Sequence, residues 1–223
     1  MDLKMYATIS REVINKYIDL QRRLAKQIKI IPLEIKNGYV AGIDVSYKDH
    51  DIFCSVVVLS YPRLELINVY YKRDKVEFPY IPGLLSFREI PIVVKTFKEV
   101  REDIFLIFCD GQGIAHPRGF GLASHIGTVL GISTIGCAKS KLIGEYTEPP
   151  NKKGSHTPLV YQNKVVGAVL RTKNNTNPVF VSVGNYIDLK SAINYTISCS
   201  IYRIPEPTRL AHKYVTRFRD NIS

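Results

Sequence analysis

The sequence predicts an α/β fold with a mixed central β-sheet flanked by helices, and two patterns support this prediction. Three strand-like segments, Tyr39–Tyr47, Ile52–Tyr61 and Glu65–Lys72, are separated only by short turns, so we expect them to pair antiparallel. Two continuous apolar runs follow, Ile104–Cys109 and Ser133–Ala138. Runs of this length are typical of strands that are buried on both faces, as in the parallel part of a sheet.

Helices are predicted at both ends of the folded region. Residues 10–28 have the spacing of an amphipathic helix that Ser10 would cap. Asp188–Cys199 predicts a second helix, with Asp188 as its cap. The last helix is predicted to begin at residues 205–207 and to bury a stripe of four residues at helical spacing: Ala211, Tyr214, Val215 and Phe218.

The region before the second of these helices predicts a hairpin and a further strand. The segments Thr157–Gln162 and Lys164–Leu170 are expected to pair around a turn at Gln162-Asn163. A polar loop, Arg171–Asn177, then leads into a short strand at Pro178–Val183.

The two apolar runs are joined by a segment with helical spacing. Its apolar positions are Leu122, Ala123, Ile126, Val129 and Leu130. Gly131 follows as a natural helix end. A strand, a helix and a second strand in this order place both strands parallel in one sheet. Three antiparallel strands followed by alternating strands and helices are the order of a ribonuclease H-like fold.

Two charged residues are expected at one edge of this sheet. Asp110 follows the first apolar run and Lys139 follows the second, so both lie at the carboxyl ends of parallel strands. Open α/β sheets bind their ligands at such ends. Taken singly, Asp110 would be a turn residue and Lys139 a solvated side chain.

The residues after Asp110 strengthen the case for a site. Gly111-Gln112-Gly113 allows a close backbone approach, and His116 and Arg118 can both donate to a phosphate. Each has an ordinary structural explanation, such as a surface histidine. Together with Lys139 they form the set of groups that phosphodiester chemistry needs.

A second carboxylate, Asp44, lies within the first predicted strand, in the sequence GIDVS. A carboxylate inside an apolar strand is costly unless it is paired or binds a metal. The alternative is an aspartate that backbone donors satisfy. If this strand lies beside the strand that ends at Asp110, the two carboxylates can meet, and such a pair suits Mg²⁺.

Composition narrows the class of partner. The chain has 223 residues, which fits one domain, and its formal net charge of +11 favours an anionic partner over a simple solubility charge. No apolar run reaches membrane length, and the N-terminus lacks a signal-peptide core, so we expect a cytoplasmic protein that does not contact membranes. The cysteines lack metal-site spacing and are expected to be buried free thiols: Cys54, Cys109, Cys137 and Cys199.

Five motifs together resemble the endonuclease V family. They are VAGIDVSY at 40–47, FPYIPGLLSFRE at 78–89, DGQGIAHPRGFGLASHIG at 110–127, TIGCAKSKLIGEY at 134–146 and IPEPTRLAH at 204–212. The resemblance extends over about residues 10–220, in the order of the family. It also implies a ribonuclease H-like fold.

The resemblance implies a Mg²⁺-dependent endonuclease, with Mn²⁺ as a substitute, that acts on deaminated bases, chiefly hypoxanthine. The enzyme would nick the second phosphodiester on the 3′ side of the lesion and leave a 5′-phosphate. The implied catalytic residues are Asp44, Glu89, Asp110, Lys139 and His212. The metal would be held by Asp44, Asp110 and Glu89. On its own, Glu89 would be interpreted as a charge near the start of a helix.

The resemblance also implies residues that contact nucleic acid. Residues 78–83 form a stiff aromatic turn that the sequence alone would pack on the core, whereas in the family this motif is a wedge. His116 and Arg118 would contact backbone phosphates. The full set of expected contacts is Pro79, Tyr80, Ile81, Pro82, Gly83, Leu85, Gly113, His116, Arg118, Gly121 and Leu142.

Two alternatives remain open at the level of sequence. The first is an inosine-specific endoribonuclease, because members of the family use either DNA or RNA. The second is a nucleic-acid-binding protein without catalysis, against which the intact set of catalytic residues argues. A phosphate-binding transferase is unsupported, because the sequence has no GxxxxGK[ST] motif. We expect a monomer that acts in DNA repair.

Overall fold

The protein is described here from a computed structural model, which covers residues 10–34 and 36–221. The expectation about a signal-peptide core falls mainly on residues 1–9, which lie outside the described residues. No helix in the described ranges is both long and apolar enough to cross a membrane.

The described chain forms eight strands and five helices. The strands are β1 (Gly38–Lys48), β2 (Asp51–Tyr61), β3 (Leu66–Lys75), β4 (Ile104–Cys109), β5 (Ser133–Ala138), β6 (His156–Tyr161), β7 (Lys164–Leu170) and β8 (Val179–Asn185). The helices are α1 (Arg11–Ala25), α2 (Leu85–Phe97), α3 (Leu122–Leu130), α4 (Leu189–Ser198) and α5 (Glu206–Asp220).

All eight strands belong to one mixed sheet, in the order β3-β2-β1-β4-β5-β8-β7-β6. The first three strands pair antiparallel, as predicted. Strand β4 pairs parallel with both β1 and β5, which places three parallel strands at the centre of the sheet. The predicted α/β class with a mixed central sheet is therefore confirmed.

The central strands bury both faces, and each face packs against its own helices. Along β4, Leu106 and Phe108 belong to a cluster that includes Tyr195 of α4 and Ala211 of α5. Ile107 and Cys109 point to the opposite face, where the core includes residues of α2 and α3. This alternation follows from the two-residue period of a strand. All four cysteines lie in described segments, and all are buried and free, as expected.

Local signals at turns and helix caps are confirmed. Ser10 and Asp188 accept backbone hydrogen bonds at the starts of α1 and α4. Gly131 ends α3 in the left-handed conformation, with φ of 70°. At the turn between β6 and β7, Gln162 and Asn163 both have positive φ, which matches the twist of the flanking strands.

Helix α2 is an element that the sequence pattern did not predict. Pro91 lies inside it, and a proline removes a backbone donor from a helix interior. The helix nevertheless buries one face, which includes Glu89, Ile92, Val93 and Thr96. Burial of this face against the sheet compensates for the missing backbone bond.

Candidate active site

Two of the three central parallel strands, β1 and β4, bring Asp44 and Asp110 close together. Ile43 of β1 is in register with Cys109 of β4, so the residues that follow them are neighbours at the same edge of the sheet. This pairing is the condition under which the sequence predicted that the two carboxylates would meet. It explains how residues 66 positions apart in the chain form one acidic pair.

Helix α5 adds a histidine to this pair, and a glycine makes its approach possible. A Cβ atom on Gly42 of β1 would lie 1.9 Å from the carbonyl oxygen of Pro207, in the first turn of α5. Only a glycine at this position allows the helix to pack so close to the strand. As a result, Nδ1 of His212 lies 2.8 Å from Oδ2 of Asp44.

The three side chains form a possible metal-binding group. One donor atom from each of Asp44, Asp110 and His212 lies within 4.8 Å of the others. Burial raises the pKa of Asp44, the nearby Asp110 carboxylate raises it further, and the hydrogen bond to His212 lowers it. A bound cation would relieve the repulsion between the two carboxylates, and carboxylate oxygens are the ligands that Mg²⁺ and Mn²⁺ prefer. The donor set therefore fits a divalent metal.

Lys139 lies at the same edge, as the strand–helix–strand order predicted. Its Nζ atom is 2.5 Å from Oδ2 of Asp110. The lysine side chain is 43% exposed, so an anionic ligand at this edge can reach it. A positive charge beside the acidic pair is suited to a negatively charged substrate.

Glu89 lies outside this donor group but close enough for the charges of Asp44 and Asp110 to act on it. It is buried on α2, and the hydroxyl of Tyr47 donates to its Oε1 atom over 3.0 Å. Burial raises the pKa of Glu89 to about 8, and the charges of Asp44 and Asp110 add to this effect. Glu89 is not part of the group of donor atoms within 4.8 Å. Its predicted role as a metal ligand remains a prediction.

A pocket opens next to the acidic pair, and Asp110 forms part of its wall. Eight of the eleven residues predicted to contact nucleic acid line it: Tyr80, Pro82, Gly83, Leu85, His116, Arg118, Gly121 and Leu142. Pro79, Ile81 and Gly113, which the structure also describes, lie outside its lining. The pocket and the acidic pair thus form one continuous site.

The turn at residues 78–83 has a buried base and an exposed tip. The ring of Phe78 packs edge-on against Tyr17 of α1, with 4.8 Å between ring centroids. Pro79 is buried, whereas Tyr80 is 42% exposed at the pocket. Across the pocket lining, Leu142 is 54% exposed. The base of the turn packs on the core, as the sequence alone indicates, and its tip is free.

Gly113 has a packing role. A Cβ atom at this position would lie 1.9 Å from the carbonyl oxygen of Val183 in β8. Its N–H donates to Oγ of Ser182 over 2.8 Å, and its carbonyl accepts from the N–H of Gly121. The close backbone approach that the sequence predicted is therefore an approach to β8.

His116 lies in the pocket wall as a neutral side chain. Burial, together with the nearby charge of Arg118, lowers the pKa of His116 to about 4. Its Nδ1 atom accepts a hydrogen bond from the backbone N–H of Arg118 over 3.2 Å. A neutral imidazole offers no positive charge to a phosphate, so the predicted phosphate contact could only be a neutral hydrogen bond.

Arg118 makes its hydrogen bonds inside the protein. Its Nε atom donates to the side chain of Gln21 on α1, and an Nη atom donates to the carbonyl oxygen of Gly83 over 2.6 Å. Gln21 is a site residue that was not predicted from the sequence, although the sequence contains a signal for it. Position 21 falls on the apolar stripe of α1 that includes Tyr17 and Leu24, and a polar residue on such a stripe needs partners.

The sheet order is that of a ribonuclease H-like fold, and the acidic pair lies on its central parallel strands. The family model described as Endonuclease V matches residues 22–213. An endonuclease V from Thermosipho melanesiensis is 46% identical over 201 residues, which cover 89% of this chain and 88% of that protein. The chain belongs to the endonuclease V family.

Solved structures agree with this assignment. An endonuclease V from Streptomyces avermitilis superposes with a TM-score of 0.88 at 38% identity, covering 92% of each chain. Endonuclease V from Ciona intestinalis, in complex with DNA that contains an inosine followed by a ribo-adenosine, has a TM-score of 0.84 at 26% identity. That likeness covers 95% of this chain and 100% of the Ciona chain. The ribonuclease H-like fold is thereby confirmed.

Proposed function

We propose that this protein is a Mg²⁺-dependent endonuclease that recognises deaminated bases in DNA, chiefly hypoxanthine, and starts their repair. It nicks the second phosphodiester on the 3′ side of the lesion and leaves a 3′-hydroxyl and a 5′-phosphate. The observation that carries the proposal is the continuity of the Asp44, Asp110 and His212 group with a pocket that Asp110 also lines. A base in the pocket and a phosphate of the same strand at the acidic pair can then be bound together.

Two further observations support the choice of substrate. The Ciona relative was crystallised with DNA that contains an inosine, which is the nucleoside of hypoxanthine. The net charge of +11 on this chain favours a polyanionic partner. We also propose that the protein acts as a monomer.

Asp44 and Asp110 would hold the metal, and Mn²⁺ would substitute for Mg²⁺. A metal held there would supply polarisation of the scissile phosphate and a lowered pKa for the attacking water. Glu89 completes the acidic set from its buried position on α2, where the hydroxyl of Tyr47 donates a hydrogen bond to it. In this position it supports the acidic pair, either as a ligand or through water.

His212 and Lys139 act on opposite sides of the acidic pair. His212 contacts Asp44 and is 59% exposed, so its free Nε2 atom can orient or deprotonate the attacking water. Lys139 contacts Asp110 and offsets the negative charge that develops on the phosphate. Both side chains are exposed enough to contact a nucleic-acid strand that lies across this edge of the sheet.

The pocket receives the lesion base after it leaves the stack. Tyr80, at the exposed tip of the proline-rich turn, fills the gap that the base leaves. Backbone groups around Gly83 and Gly121 read the edge of the purine, and Leu85 and Leu142 cover its faces. Hydrogen bonds from fixed backbone groups distinguish hypoxanthine from adenine, because the two bases differ in donors and acceptors at this edge.

A second candidate is an inosine-specific endoribonuclease. The ribo-adenosine that follows the inosine in the Ciona complex favours including RNA among the substrates to be tested. A single comparison separates the candidates. Matched single-stranded DNA and RNA oligonucleotides, each with one inosine, are incubated with Mg²⁺ or with a chelator, and the cut is mapped against a ladder.

We expect a Mg²⁺-dependent nick at the second phosphodiester 3′ to inosine, faster in DNA than in RNA. Faster cutting of RNA would assign the natural substrate to the second candidate. Binding of inosine strands without any cut would leave a nucleic-acid-binding protein and remove the catalytic assignment.

A further inference from the structure

One fully buried amide connects two walls of the base pocket. Gln21 of α1 is 0% exposed, although glutamine is rarely buried without a specific role. Its Nε2 atom donates to the carbonyl oxygen of Gly83 over 3.0 Å and to that of Phe120 over 2.7 Å. Gly83 and Phe120 both line the pocket, and they belong to segments 37 positions apart in the chain.

Arg118 completes this network. Its guanidinium donates to Oε1 of Gln21 and to the same Gly83 carbonyl oxygen. A Cβ atom at Gly83 would lie only 2.3 Å from an Nη atom of Arg118, so the guanidinium packs directly against this glycine. Every hydrogen-bonding group of the Gln21 side chain is therefore used, and two donors converge on one carbonyl of the pocket wall.

Aromatic contacts also attach α1 to the rest of the protein. Tyr17, one turn before Gln21, packs edge-on against Phe78 and Phe87, with centroid distances of 4.8 and 5.1 Å. These contacts join the helix to the turn and to α2, while Gln21 is the buried residue of α1. The amide and the guanidinium instead bind backbone oxygens whose positions define the pocket.

We propose that Gln21 and Arg118 are positioning residues that hold the Gly83 and Phe120–Gly121 walls of the pocket at a fixed separation, and that this separation determines lesion specificity. The proposal rests on the proposed function, in which backbone groups of these walls read the purine edge. Such reading needs the groups to be held within about 0.5 Å of their productive positions. In this assignment Arg118 acts through Gly83 and does not bind a phosphate.

The test uses a matched pair of substitutions in the same segment. Gln21→Leu removes the three hydrogen bonds of the amide at similar volume, whereas Gln27→Leu makes the same change at an exposed position just after α1. For each variant, affinity is measured in chelator for a strand with one inosine and for the same strand with adenosine. Cleavage of both strands is then measured in Mg²⁺, and the melting temperature reports folding.

We expect Gln21→Leu to lower the inosine-to-adenosine ratio, in affinity and in cleavage, by about tenfold to a hundredfold, which is the usual effect of unpaired buried polar groups. Affinity for the adenosine strand should change by less than about twofold, since phosphate contacts are untouched. Gln27→Leu should behave as the wild type. An unchanged ratio in a folded Gln21→Leu protein, or an equal loss for both strands, would overturn the proposal.

Arg118→Lys keeps the proposal testable if Gln21→Leu fails to fold. Lysine retains the positive charge but cannot donate to Gln21 and Gly83 at once. A phosphate-binding role predicts that Arg118→Lys retains the wild-type ratio, and that result would overturn the proposal. The positioning role predicts that Arg118→Lys lowers the inosine-to-adenosine ratio as much as Gln21→Leu does. The double variant, which carries both substitutions, should show no further loss of this ratio.

These outcomes are distinct from a failure of the proposed function. If the wild-type protein itself shows no preference for inosine and cuts neither strand, the proposed function fails. If the wild type prefers inosine and both variants keep that preference, the proposed function stands and the positioning role is overturned.

Discussion

Nδ1 of His212 lies 2.8 Å from Oδ2 of Asp44, although the two residues are 168 positions apart in the chain. The contact exists because Gly42 lets the first turn of α5 approach β1. Asp44 is largely buried, with 13% of its side chain exposed, whereas the imidazole is 59% exposed. His212 therefore connects the buried carboxylate with the surface on which a strand would lie.

Substitution of His212 should impair chemistry more than binding. We expect His212→Gln to slow cleavage of an inosine strand by about 10²-fold to 10⁴-fold, the range for loss of a group that moves a proton. Affinity for the strand should remain close to that of the wild type. Single-turnover rates over a range of Mg²⁺ concentrations check this. A rise in the Mg²⁺ concentration needed for half-maximal rate identifies a ligand, and an altered pH profile identifies a base.

Removal of the Lys139 charge should also affect the chemical step. Lys139→Met keeps the aliphatic stem and deletes the ammonium group that contacts Asp110. We expect a loss of about 10²-fold to 10³-fold in single-turnover rate, as for other groups that stabilise developing charge. Lys164→Met, at the start of β7 and exposed, is the control. Equal rates for both variants would mean that Lys139 has no catalytic role.

The exposed tip of the turn at residues 78–83 should determine lesion preference. We expect Tyr80→Ala to reduce the preference for inosine over adenosine by about 1–3 kcal/mol, the contribution of one stacked ring. Tyr202→Ala is a suitable control, because Tyr202 is also exposed, at 51%, and lies outside the pocket lining. Competition binding with the two strands measures the effect. Retention of full discrimination by Tyr80→Ala would contradict the wedge role.

The pH dependence of stability should depend on His125. This buried imidazole contacts Oγ of Ser86 over 3.0 Å, and burial lowers the pKa of His125 from 6.5 to about 4. The unfolded chain therefore binds a proton below about pH 6.5 that the folded protein binds only near pH 4. Stability is fully present above pH 6.5 and is lost as the pH falls towards 4.

Between pH 7.5 and pH 5, this one histidine should reduce the free energy of unfolding by about 2 kcal/mol. His125→Asn removes the titration, so the variant should lose about that much less over the same interval. Urea unfolding at the two pH values measures both proteins. An identical pH dependence in wild type and variant would show that His125 does not contribute.

The sequence predicts the strands of the sheet and identifies Asp44 and Asp110 as residues that could form a pair, because these features depend on local patterns. The apolar runs 104–109 and 133–138 are recognisable from burial on both faces, and their strand–helix–strand order fixes where Asp110 and Lys139 must lie. Asp44 also lies within an apolar strand, where burial of an unpaired carboxylate costs free energy, so this residue needs a partner. The burial pattern of each run can be recognised locally, whereas the meeting of Asp44 with Asp110 depends on β1 and β4 being neighbours in the sheet.

The parts that the sequence did not predict depend on tertiary contacts. Pro91 argues against a helix at α2 when only the sequence is considered. The helix forms because its buried face packs against the sheet, which the sequence does not show. Arg118 appears suited to a phosphate until its bonds to Gln21 and Gly83 are known, and those partners are distant in sequence. Glu89 lies near the acidic pair but outside the group of donor atoms that Asp44, Asp110 and His212 form. The spacing of residues along the sequence does not determine this difference in distance.

The most direct test of the metal-site assignment is single-turnover cleavage of an inosine-containing oligonucleotide by three proteins: the wild type, Asp110→Asn and Asp103→Asn. Asp103 is exposed and lies just before β4, whereas Asp110 lies just after β4. The control therefore changes the same residue type at the opposite end of this β-strand. If Asp110 holds the metal, the wild type and Asp103→Asn should cut only when Mg²⁺ is added. Asp110→Asn should bind the strand without cutting it. Cleavage in chelator, or wild-type rates for Asp110→Asn, would contradict the assignment of the metal site.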